Sequence, residues 1–362
     1  MRSLFYYSGR EWTGEARAFA IAARGLAARG EPVTIVCRPD GDAELGFARE
    51  ELDVVTIPVT DSVSRDAWRL RTVLKERFAE VVFLHTEREQ LIASSAMRLA
   101  ARGAIVRRIP TGCALTTGRG ARLAGRLASV RLLFTTEEER ERAGAQSNGY
   151  VAPLGVDLER HDAERATSRS TLGVEPGTKL MVCVTDRRAK GRITTALRTV
   201  SLLAERHPGL RVALVGSGCD DDDVHMHAAA LGVTPLVRFL GQRDDMAAVL
   251  SAAEVGWVAA EGDDGAFGCL DFMAAGVPVI AERSPYLAHY VPDGITGVLL
   301  PRAEPADTAA AVAKFLAEDS QREAMGRAGR NRVAREFTVG AMIDGFAAAA
   351  GDAGNRAGWT TR

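Results

Sequence analysis

Residues 179–218 read KLMVCVTDRRAKGRITTALRTVSLLAERHPGLRVALVGSG. The segment opens with a short apolar run, Lys179–Val184, continues with a helical pattern over Arg192–His207, and ends with a second apolar run, Arg211–Gly216. A strand, a helix and a second strand in this order are typical of a βαβ unit, in which a crossover helix joins two parallel strands. We therefore expect a parallel α/β sheet around this segment.

The same alternation extends in both directions along the chain. Upstream, predicted strands lie at 4–7, 33–37, 54–59, 81–84, 104–109 and 131–135. Downstream, they lie at 237–240, 255–258, 277–281 and 297–300. Helical patterns separate them, including Cys269–Ala275 and a long final helix over 321–350 that is expected to bend near Phe337 and Thr338. The pattern predicts an α/β protein of two tandem Rossmann-like, doubly wound domains facing a cleft.

A polar stretch, Leu158 to Gly177, contains few large apolar residues and marks the predicted boundary between the two series. We expect an N-terminal domain over 1–157 and a C-terminal domain over 158–335. A C-terminal helix and tail, 336–362, is expected to pack back on the N-terminal domain.

The composition excludes several classes of protein. With 46 basic and 47 acidic residues the formal charge is −1, which argues against a generally basic nucleic-acid binder. No apolar run is long enough for a transmembrane helix, and the first residues lack a signal-peptide pattern. The five cysteines are far apart and without CxxC spacing, as expected for buried thiols in a reducing compartment. We expect a cytoplasmic protein, at most peripheral to the inner face of a membrane.

The loop Ser8-Gly-Arg-Glu-Trp-Thr-Gly14 joins the first predicted strand and helix. Glycines let main-chain amides approach a ligand, and a helix N-terminus favours negative groups. The loop is neither a GxGxxG fingerprint nor a P-loop. Two interpretations stay open: an acceptor or phosphate loop that uses Gly9, Thr13 and Gly14, or a plain strand-to-helix turn.

Residues 261–280, EGDDGAFGCLDFMAAGVPVI, place two carboxylates, Asp263 and Asp271, eight positions apart across a glycine-rich turn. Main-chain amides at a helix N-terminus suit the phosphates of a nucleotide diphosphate. We expect Asp271 to accept hydrogen bonds from ribose hydroxyls and Asp263, before the turn, to accept them from sugar hydroxyls. The residues expected to line the phosphates are Gly265, Phe267, Gly268, Cys269 and Leu270.

This stretch resembles the E-G-F-G-x-x-x-x-E-A-M-A-x-G-x-P-V motif of the family 4, retaining, GT-B-fold glycosyltransferases. Lys190-Gly191 resembles the family's K-G, which meets the donor phosphates, and Leu214–Gly218 resembles its V-G-x-G turn. Further landmarks follow in the family's order: Pro153–Asp157, Val237–Gly241 and Asp293–Gly297. The resemblance covers nearly the whole chain, most densely from 180 to 300.

The resemblance implies transfer of a sugar from a nucleotide-sugar donor to an acceptor in the interdomain cleft, with retention of anomeric configuration. The first domain would bind the acceptor and the second the donor, with the nucleotide sugar as co-substrate and no cofactor or metal. Asp263, Lys190 and His85 are the catalytic candidates. Arg187, Arg188, Gly216 and Gly218 join Asp271 and the phosphate-lining residues as donor-binding candidates.

The chain departs from the family at several positions. Aspartates replace both motif glutamates, and Thr185 stands where an arginine is expected, although Arg187 and Arg188 lie close by. The family's first-domain histidine is missing from Arg107–Gly112. His85, at the end of the preceding predicted strand, is either a replacement for it or a structural strand-end histidine.

From Arg98 to Arg131 the chain has eight arginines and no acidic residue. Arg119, Arg122 and Arg126 share one predicted helix face, beside Leu123 and Leu127. A basic amphipathic segment can contact an anionic membrane or hold an anionic acceptor. It can also be a solvated face, balanced by the acidic residues that follow.

Two alternatives to the transferase remain open. The altered carboxylates and missing histidine also fit a nucleotide-sugar-binding homologue with reduced turnover, and a GT-B-fold nucleotide-sugar epimerase would share the nucleotide site. A dinucleotide oxidoreductase is disfavoured because neither predicted sheet carries GxGxxG after its first strand.

Overall fold

The computed structural model describes residues 1–100, 103–115, 118–145, 147–164, 172, 174–175, 177–186, 190–243, 245–302 and 304–356. For residues 163, 164, 190 and 352–356 it describes the backbone alone. The chain divides into two compact units. The first combines Met1–Gly155 with the segment from Val339 onward, and the second is Val156–Thr338.

The first unit is built on a parallel sheet of seven strands in the order β3-β2-β1-β4-β5-β6-β7. In chain order the strands are β1 Ser3–Tyr7, β2 Val33–Cys37, β3 Val54–Thr56, β4 Val81–Leu84, β5 Ala104–Arg108, β6 Val130–Phe134 and β7 Gly149–Val151. Its central strands are buried on both faces, which explains why they read as continuous apolar runs.

The helices of this unit lie on both faces of the sheet. They are α1 Gly14–Ala28, α2 Asp42–Arg49, α3 Val63–Glu76, α4 Glu87–Ala100, α5 Arg119–Leu127 and α6 Glu137–Arg142. Helices α3 and α4 cover one face through a core that includes Leu70, Ile92 and Ala96. The other face carries a cluster of aromatic rings, in which Phe5 stacks on Phe83 at 4.6 Å and meets Phe19 edge-on at 5.0 Å.

The second unit has a parallel sheet of six strands in the order β10-β9-β8-β11-β12-β13. The strands are β8 Lys179–Thr185, β9 Leu210–Val215, β10 Val237–Phe239, β11 Val255–Ala259, β12 Val279–Glu282 and β13 Gly297–Leu300. The helices are α7 Leu158–Glu164, α8 Lys190–Ala204, α9 Asp222–Ala230, α10 Met246–Ser251, α11 Gly262–Ala275, α12 Leu287–Tyr290, α13 Pro305–Ala317 and α14 Asp319–Glu336.

The two doubly wound α/β sheets predicted from the sequence are confirmed. The predicted bend near Phe337 is also confirmed, as a complete break: α14 ends at Glu336, and a new helix, α15, runs over Val339–Arg356. At the break, Val156 N–H donates to Phe337 C=O at 2.9 Å, and Val156 and Thr338 form an isolated parallel bridge. Helix α2, helix α6 and strand β7 are too short to have given a periodic pattern, and the sequence did not predict them.

Helix α15 belongs to the first unit, where it packs against α1 and strands β5 to β7. Its Phe346 ring lies 5.3 Å from Phe83 and 6.1 Å from Phe5. The approach is close because Gly345 faces the chain at Val151 and Ala152, where an added Cβ would lie 2.4 Å from the Val151 carbonyl oxygen. Among the described residues, no helix has the length and apolar character needed to cross a bilayer.

We expect Gly345→Ala to destabilise the first unit by about 1–3 kcal/mol, because the new methyl group overlaps main-chain atoms that cannot move easily. Gly351 lies on the same helix with open space around its Cα, so Gly351→Ala is the matched control. It should be neutral or stabilising by up to about 1 kcal/mol, as expected for alanine in a helix. Urea unfolding of the two variants measures the difference, and equal stabilities would contradict the close packing of α15.

Candidate functional site

The candidate site of the second unit lies at the carboxyl ends of its two central strands, from which the chain continues in opposite directions along the sheet. Strands β8 and β11 pair in parallel, with Thr185 opposite Ala259 at their carboxyl ends. The chain leaves β8 towards α8 and β9 on one side, and leaves β11 towards α11 and β12 on the other. In open α/β sheets this reversal of strand order leaves a crevice at the carboxyl ends, where ligands bind.

Helix α11 is longer than predicted, and this corrects the expectation for the glycine-rich segment. The helix begins at Gly262 and not near Cys269, and Gly265 N–H already donates to Glu261 C=O at 3.1 Å. The amides of Gly265 to Leu270 therefore lie within the helix and cannot form an open phosphate loop. Only the first-turn amides, those of residues 262–264, have no acceptor within the helix.

The glycines of α11 serve close packing instead. An added Cβ at Gly265 would lie 2.5 Å from the Ala260 carbonyl oxygen, and one at Gly268 would lie 3.3 Å from both methyl carbons of Val258. Phe267, Cys269 and Leu270 are buried within the unit. Burial raises the pKa of the Cys269 thiol, which keeps it protonated. These three side chains belong to the hydrophobic core, and packing fixes their positions.

Asp263 and Asp271 both lie on α11 and are 0% and 4% exposed. Asp263 is in the first turn of the helix and not before it, where a carboxylate is favoured by the helix dipole. Eight residues correspond to about 12 Å along a helix axis. The two residues are therefore more than two helical turns apart along α11.

Three residues that the sequence did not single out hold the start of α11. Glu261 N–H donates to Asp186 Oδ2 at 3.3 Å, which ties the end of β11 to the end of β8. The Glu261 carboxylate pairs with Arg192 of α8, whose guanidinium also pairs with Glu282 at 2.9 Å. Position was the signal for Asp186 and Glu261, since each lies within three residues of the carboxyl end of a predicted strand. Arg192 is the first residue of the predicted helix over Arg192–His207, and no signal in the sequence marked it.

Tyr286 also contacts this turn. Burial raises the pKa of its hydroxyl, and a hydrogen bond from the Gly262 main chain acts in the opposite direction. The hydroxyl therefore stays protonated at neutral pH.

The glycines after β9 adopt conformations that other residues rarely take. Gly216 has a φ of 126°, and an added Cβ would lie 1.9 Å from the Thr185 carbonyl oxygen. Its N–H donates to Gly241 C=O at 2.8 Å. Gly218 has a φ of 78°. Gly216 is thus required where the chain after β9 passes the carboxyl end of β8, and Gly218 by its positive φ.

Lys190 is the first residue of α8, directly beyond the carboxyl end of β8 and Asp186. This places its backbone at the predicted edge of the sheet. The side chain of Lys190 lies outside the described part of the chain, as do Arg187 and Arg188.

In the first unit, Glu89 organises the ends of β1 and β4. This buried carboxylate accepts hydrogen bonds from three main-chain amides: Ser8 at 2.7 Å, His85 at 3.0 Å and Thr86 at 2.9 Å. Hydrogen bonds from amides to a carboxylate are charge-assisted and therefore strong. Glu89 thus fixes the loop after β1 and the loop after β4 in one arrangement.

The loop after β1 is closed by Tyr7. Its hydroxyl donates to Glu11 C=O at 3.1 Å and lies 3.0 Å from Thr13 Oγ1. An added Cβ at Gly9 would lie 2.6 Å from the same hydroxyl oxygen. Thr13 precedes α1, which begins at Gly14, and its side chain makes no capping bond to the helix. The structure brings Gly9 and Thr13 together around Tyr7, a role of Tyr7 that sequence reasoning missed, and Gly14 begins α1 directly after Thr13.

His85 is buried at the carboxyl end of β4. Its ring stacks on Phe19 at 3.9 Å, and Nε2 lies 3.2 Å from Glu15 C=O. Because a carbonyl oxygen only accepts, Nε2 carries the proton in this contact. Arg107 donates through Nε to His85 C=O at 3.0 Å. These contacts hold the ring firmly, as a structural histidine requires, at the edge where the first unit's loops gather.

The predicted basic segment is helix α5, and it buries only Ala124. Arg119, Arg122, Arg126 and Leu123 are exposed. The three arginines and the leucine therefore form one cationic, partly apolar face. The acidic run Asp220–Asp223 leads into α9, and no group of three or more potential metal ligands occurs among the described residues.

Comparison with known proteins adds to this geometry. Residues 164–332, somewhat under half of the chain, match the sequence model of the family described as "Glycosyl transferases group 1". A curated relative, D-inositol 3-phosphate glycosyltransferase from Corynebacterium jeikeium, is 33% identical over 190 residues, covering 49% of this chain and 45% of the relative. The enzyme of that name from Nocardiopsis dassonvillei is 30% identical over 238 residues, covering 60% and 56%. The chain spans about half the length of the curated relatives that it matches.

Solved structures of similar fold cover nearly the whole chain. Anabaena Alr3699/HepE in complex with UDP and glucose superposes with a TM-score of 0.79 at 18% identity, covering 97% of this chain and all of that one. WaaG, a glycosyltransferase involved in lipopolysaccharide biosynthesis, superposes with a TM-score of 0.70 at 17% identity, covering 98% and 99%. Residues 164–332 are therefore similar to the glycosyltransferases of group 1, and the chain has the GT-B fold.

Proposed function

We propose that the protein is a glycosyltransferase of the family 4 type, which moves a sugar from a nucleotide diphosphate donor to an acceptor with retention of configuration. The observation that carries the proposal is the site of the second unit. Within the stretch that matches the family, α11 starts at the strand reversal and carries two buried aspartates at the spacing of the family's two glutamates.

In this proposal the leaving diphosphate lies over the carboxyl ends of β8 and β11. Lys190, at the start of α8, and the neighbouring Arg187 and Arg188 would neutralise the charge that develops as the glycosidic bond breaks. The first-turn amides of α11 would add their partial positive charge. Asp271 would accept hydrogen bonds from the ribose, and Asp263 from the transferred sugar. No metal or further cofactor is needed for these roles.

The acceptor would be bound by the first unit, where Glu89 and Tyr7 shape the loop that contains Gly9, Thr13 and Gly14. The curated relatives are named for D-inositol 3-phosphate, a small anionic polyol. A similarly anionic acceptor fits the excess of arginine in this unit. The exposed face of α5 supports a second proposal, that the protein binds peripherally to anionic lipid on the cytoplasmic side of a membrane.

Lys190→Ala should lower turnover by about 100-fold or more while donor affinity changes less, because the lysine meets charge that grows in the transition state. Lys190→Arg should recover only part of the rate, since a planar guanidinium does not replace a point charge. Lys179→Ala is the matched control. Lys179 lies at the opposite end of β8, where it pairs with Asp319 at 3.3 Å. Sugar transfer from UDP-, GDP- and ADP-sugars measures the rates, and wild-type turnover of the alanine variant would refute the role.

Asp271→Asn should weaken nucleotide binding by about 1–3 kcal/mol, the loss expected for a charge-assisted hydrogen bond. Asp264→Asn on the same helix is the control, because no ligand contact is proposed for its side chain. Calorimetric titration with UDP and GDP gives the affinities, and thermal unfolding shows whether the buried substitution changes the fold. A folded variant with unchanged affinity would remove Asp271 from the ribose site.

Replacing Arg119, Arg122 and Arg126 with glutamine should weaken binding to vesicles that contain phosphatidylserine by about 1 kcal/mol per arginine. A control variant makes the same charge change at exposed arginines of the second unit, Arg238, Arg327 and Arg335. Vesicle sedimentation at low and physiological salt measures both. If the wild-type protein ignores such vesicles at low salt, the membrane proposal is wrong and the role in holding an anionic acceptor remains.

A further inference from the structure

A polar cavity lies in the second unit on the sheet face opposite α11. Its volume is about 230 Å³, and it is lined by Arg192, Thr195, Trp257, Ala259, Glu282, Arg302 and Glu304. Trp257 belongs to the core shared by α8, α13 and this face of the sheet. By contrast, Gly256 and Val258 face α11, since an added Cβ at Gly256 would lie 2.4 Å from the Phe272 ring. The cavity is therefore separate from the aspartates of α11.

One buried polar group in the lining of this cavity, and two on residues beside the lining, have no hydrogen-bond partner within the described part of the chain. The Trp257 side chain lines the cavity at 0% exposure, and its Nε1–H is unpaired. The Thr185 hydroxyl, 3% exposed, lies on the strand position paired with Ala259 in the lining. The Thr308 hydroxyl, 0% exposed, lies one helical turn beyond Glu304. Buried polar groups are nearly always paired, so the unpaired indole N–H of a lining residue indicates a polar occupant.

The lining restricts the chemistry of that occupant. An indole N–H and two guanidinium groups only donate, whereas two carboxylates only accept. Two positive and two negative side chains leave the lining neutral, so no net charge is favoured on the ligand. A molecule with closely spaced hydroxyl groups satisfies both requirements, because each hydroxyl donates and accepts.

The size of the cavity also favours a small ligand of this kind. Its volume is below the roughly 300–1,000 Å³ of pockets that hold drug-sized ligands, which is too small for a nucleotide sugar. At about 30 Å³ for each water in the liquid, it corresponds to roughly seven or eight waters. One compact molecule of monosaccharide size fits this space.

We propose that this cavity is a binding site for a neutral polyhydroxylated small molecule, a monosaccharide or related polyol, held by Trp257, Thr195, Arg192 and the carboxylates of Glu282 and Glu304. Arg192 also pairs with Glu261 before α11. The occupant therefore contacts the same guanidinium that steadies the start of α11, although it does not enter the site on the other face.

The test uses the full chain labelled with ¹⁵N at tryptophan, whose four indoles give separate N–H resonances. Trp257→Phe identifies the Trp257 resonance. Titration with methyl α-D-glucopyranoside, which cannot act as a donor, should shift that resonance saturably and leave the other three in place. Glycine and inorganic phosphate, as zwitterion and anion, should give no saturable shift. The titration is repeated with saturating UDP, and the affinity for the glucoside should be unchanged.

Thr195→Val and Glu304→Gln should each weaken the glucoside about fivefold to tenfold, whereas Trp68→Phe, which removes an exposed indole, should leave it unchanged. If Trp257→Phe unfolds, Thr195→Val and Glu304→Gln still test whether the glucoside binds in this cavity. No response to the glucoside, myo-inositol or D-glucitol would mean that the cavity holds only water, and would overturn the proposal. A response abolished by UDP would place the sugar in the donor site, and saturation by glycine or phosphate alone would refute the neutral class. None of these readouts depends on sugar transfer.

Discussion

The second unit depends on how closely α11 can approach the strands beneath it. Gly256 on β11 leaves no room for a side chain beneath the Phe272 ring, and Gly268 on the helix leaves little room above Val258. Gly265 lies equally close to the Ala260 carbonyl oxygen, directly after β11. The helix axis is thereby drawn towards the sheet, and the ends of β8 and β11 come within hydrogen-bonding distance of the turn that starts the helix. The link from Glu261 to Asp186 and the pairing of Glu261 with Arg192 follow from this approach. The carboxylates of Asp263 and Asp271 are positioned by packing before any ligand arrives.

In the first unit, the loops at the carboxyl ends of the strands are held in place in a different way. Its loops are held by buried carboxylates that accept main-chain amides. Glu89 binds the ends of β1 and β4, and Glu139 accepts from Gly112 N–H at 2.8 Å and from the Thr135 hydroxyl at 2.6 Å. An unpaired buried amide or carboxylate is costly, so each glutamate and its loop stabilise each other. Close packing at glycines therefore positions the edge of the second unit, where polar contacts then form, whereas buried carboxylates that bind main-chain amides position the edge of the first.

Most of the architecture could be predicted from the sequence, because continuous apolar runs and helical patterns alternate in both halves. The start of α11 could not. Glycine at three positions within ten residues normally indicates a turn, and here packing against the sheet overrides that low helix propensity. Spacing along the chain indicated that Asp263 and Asp271 follow β11 and that Lys190 follows β8, but it did not place Asp263 within the helix. Asp186, Arg192, Glu89 and Tyr7 did not, since single polar residues near strand ends acquire their roles only when the strands are neighbours in space.

The hydrogen bond between Val156 and Phe337 has a consequence for how this gene can be rearranged. It joins the first residue of the second unit to the last but one, so that residues 156–338 begin and end at one point. Topologically, the second unit is an insertion into the first, whose own chain is interrupted after Gly155 and resumes with α15. A segment with adjoining ends can be exchanged for a related one without changing the path of the host chain. Recombination at this seam would give the first unit a different partner while leaving every strand of its sheet in order.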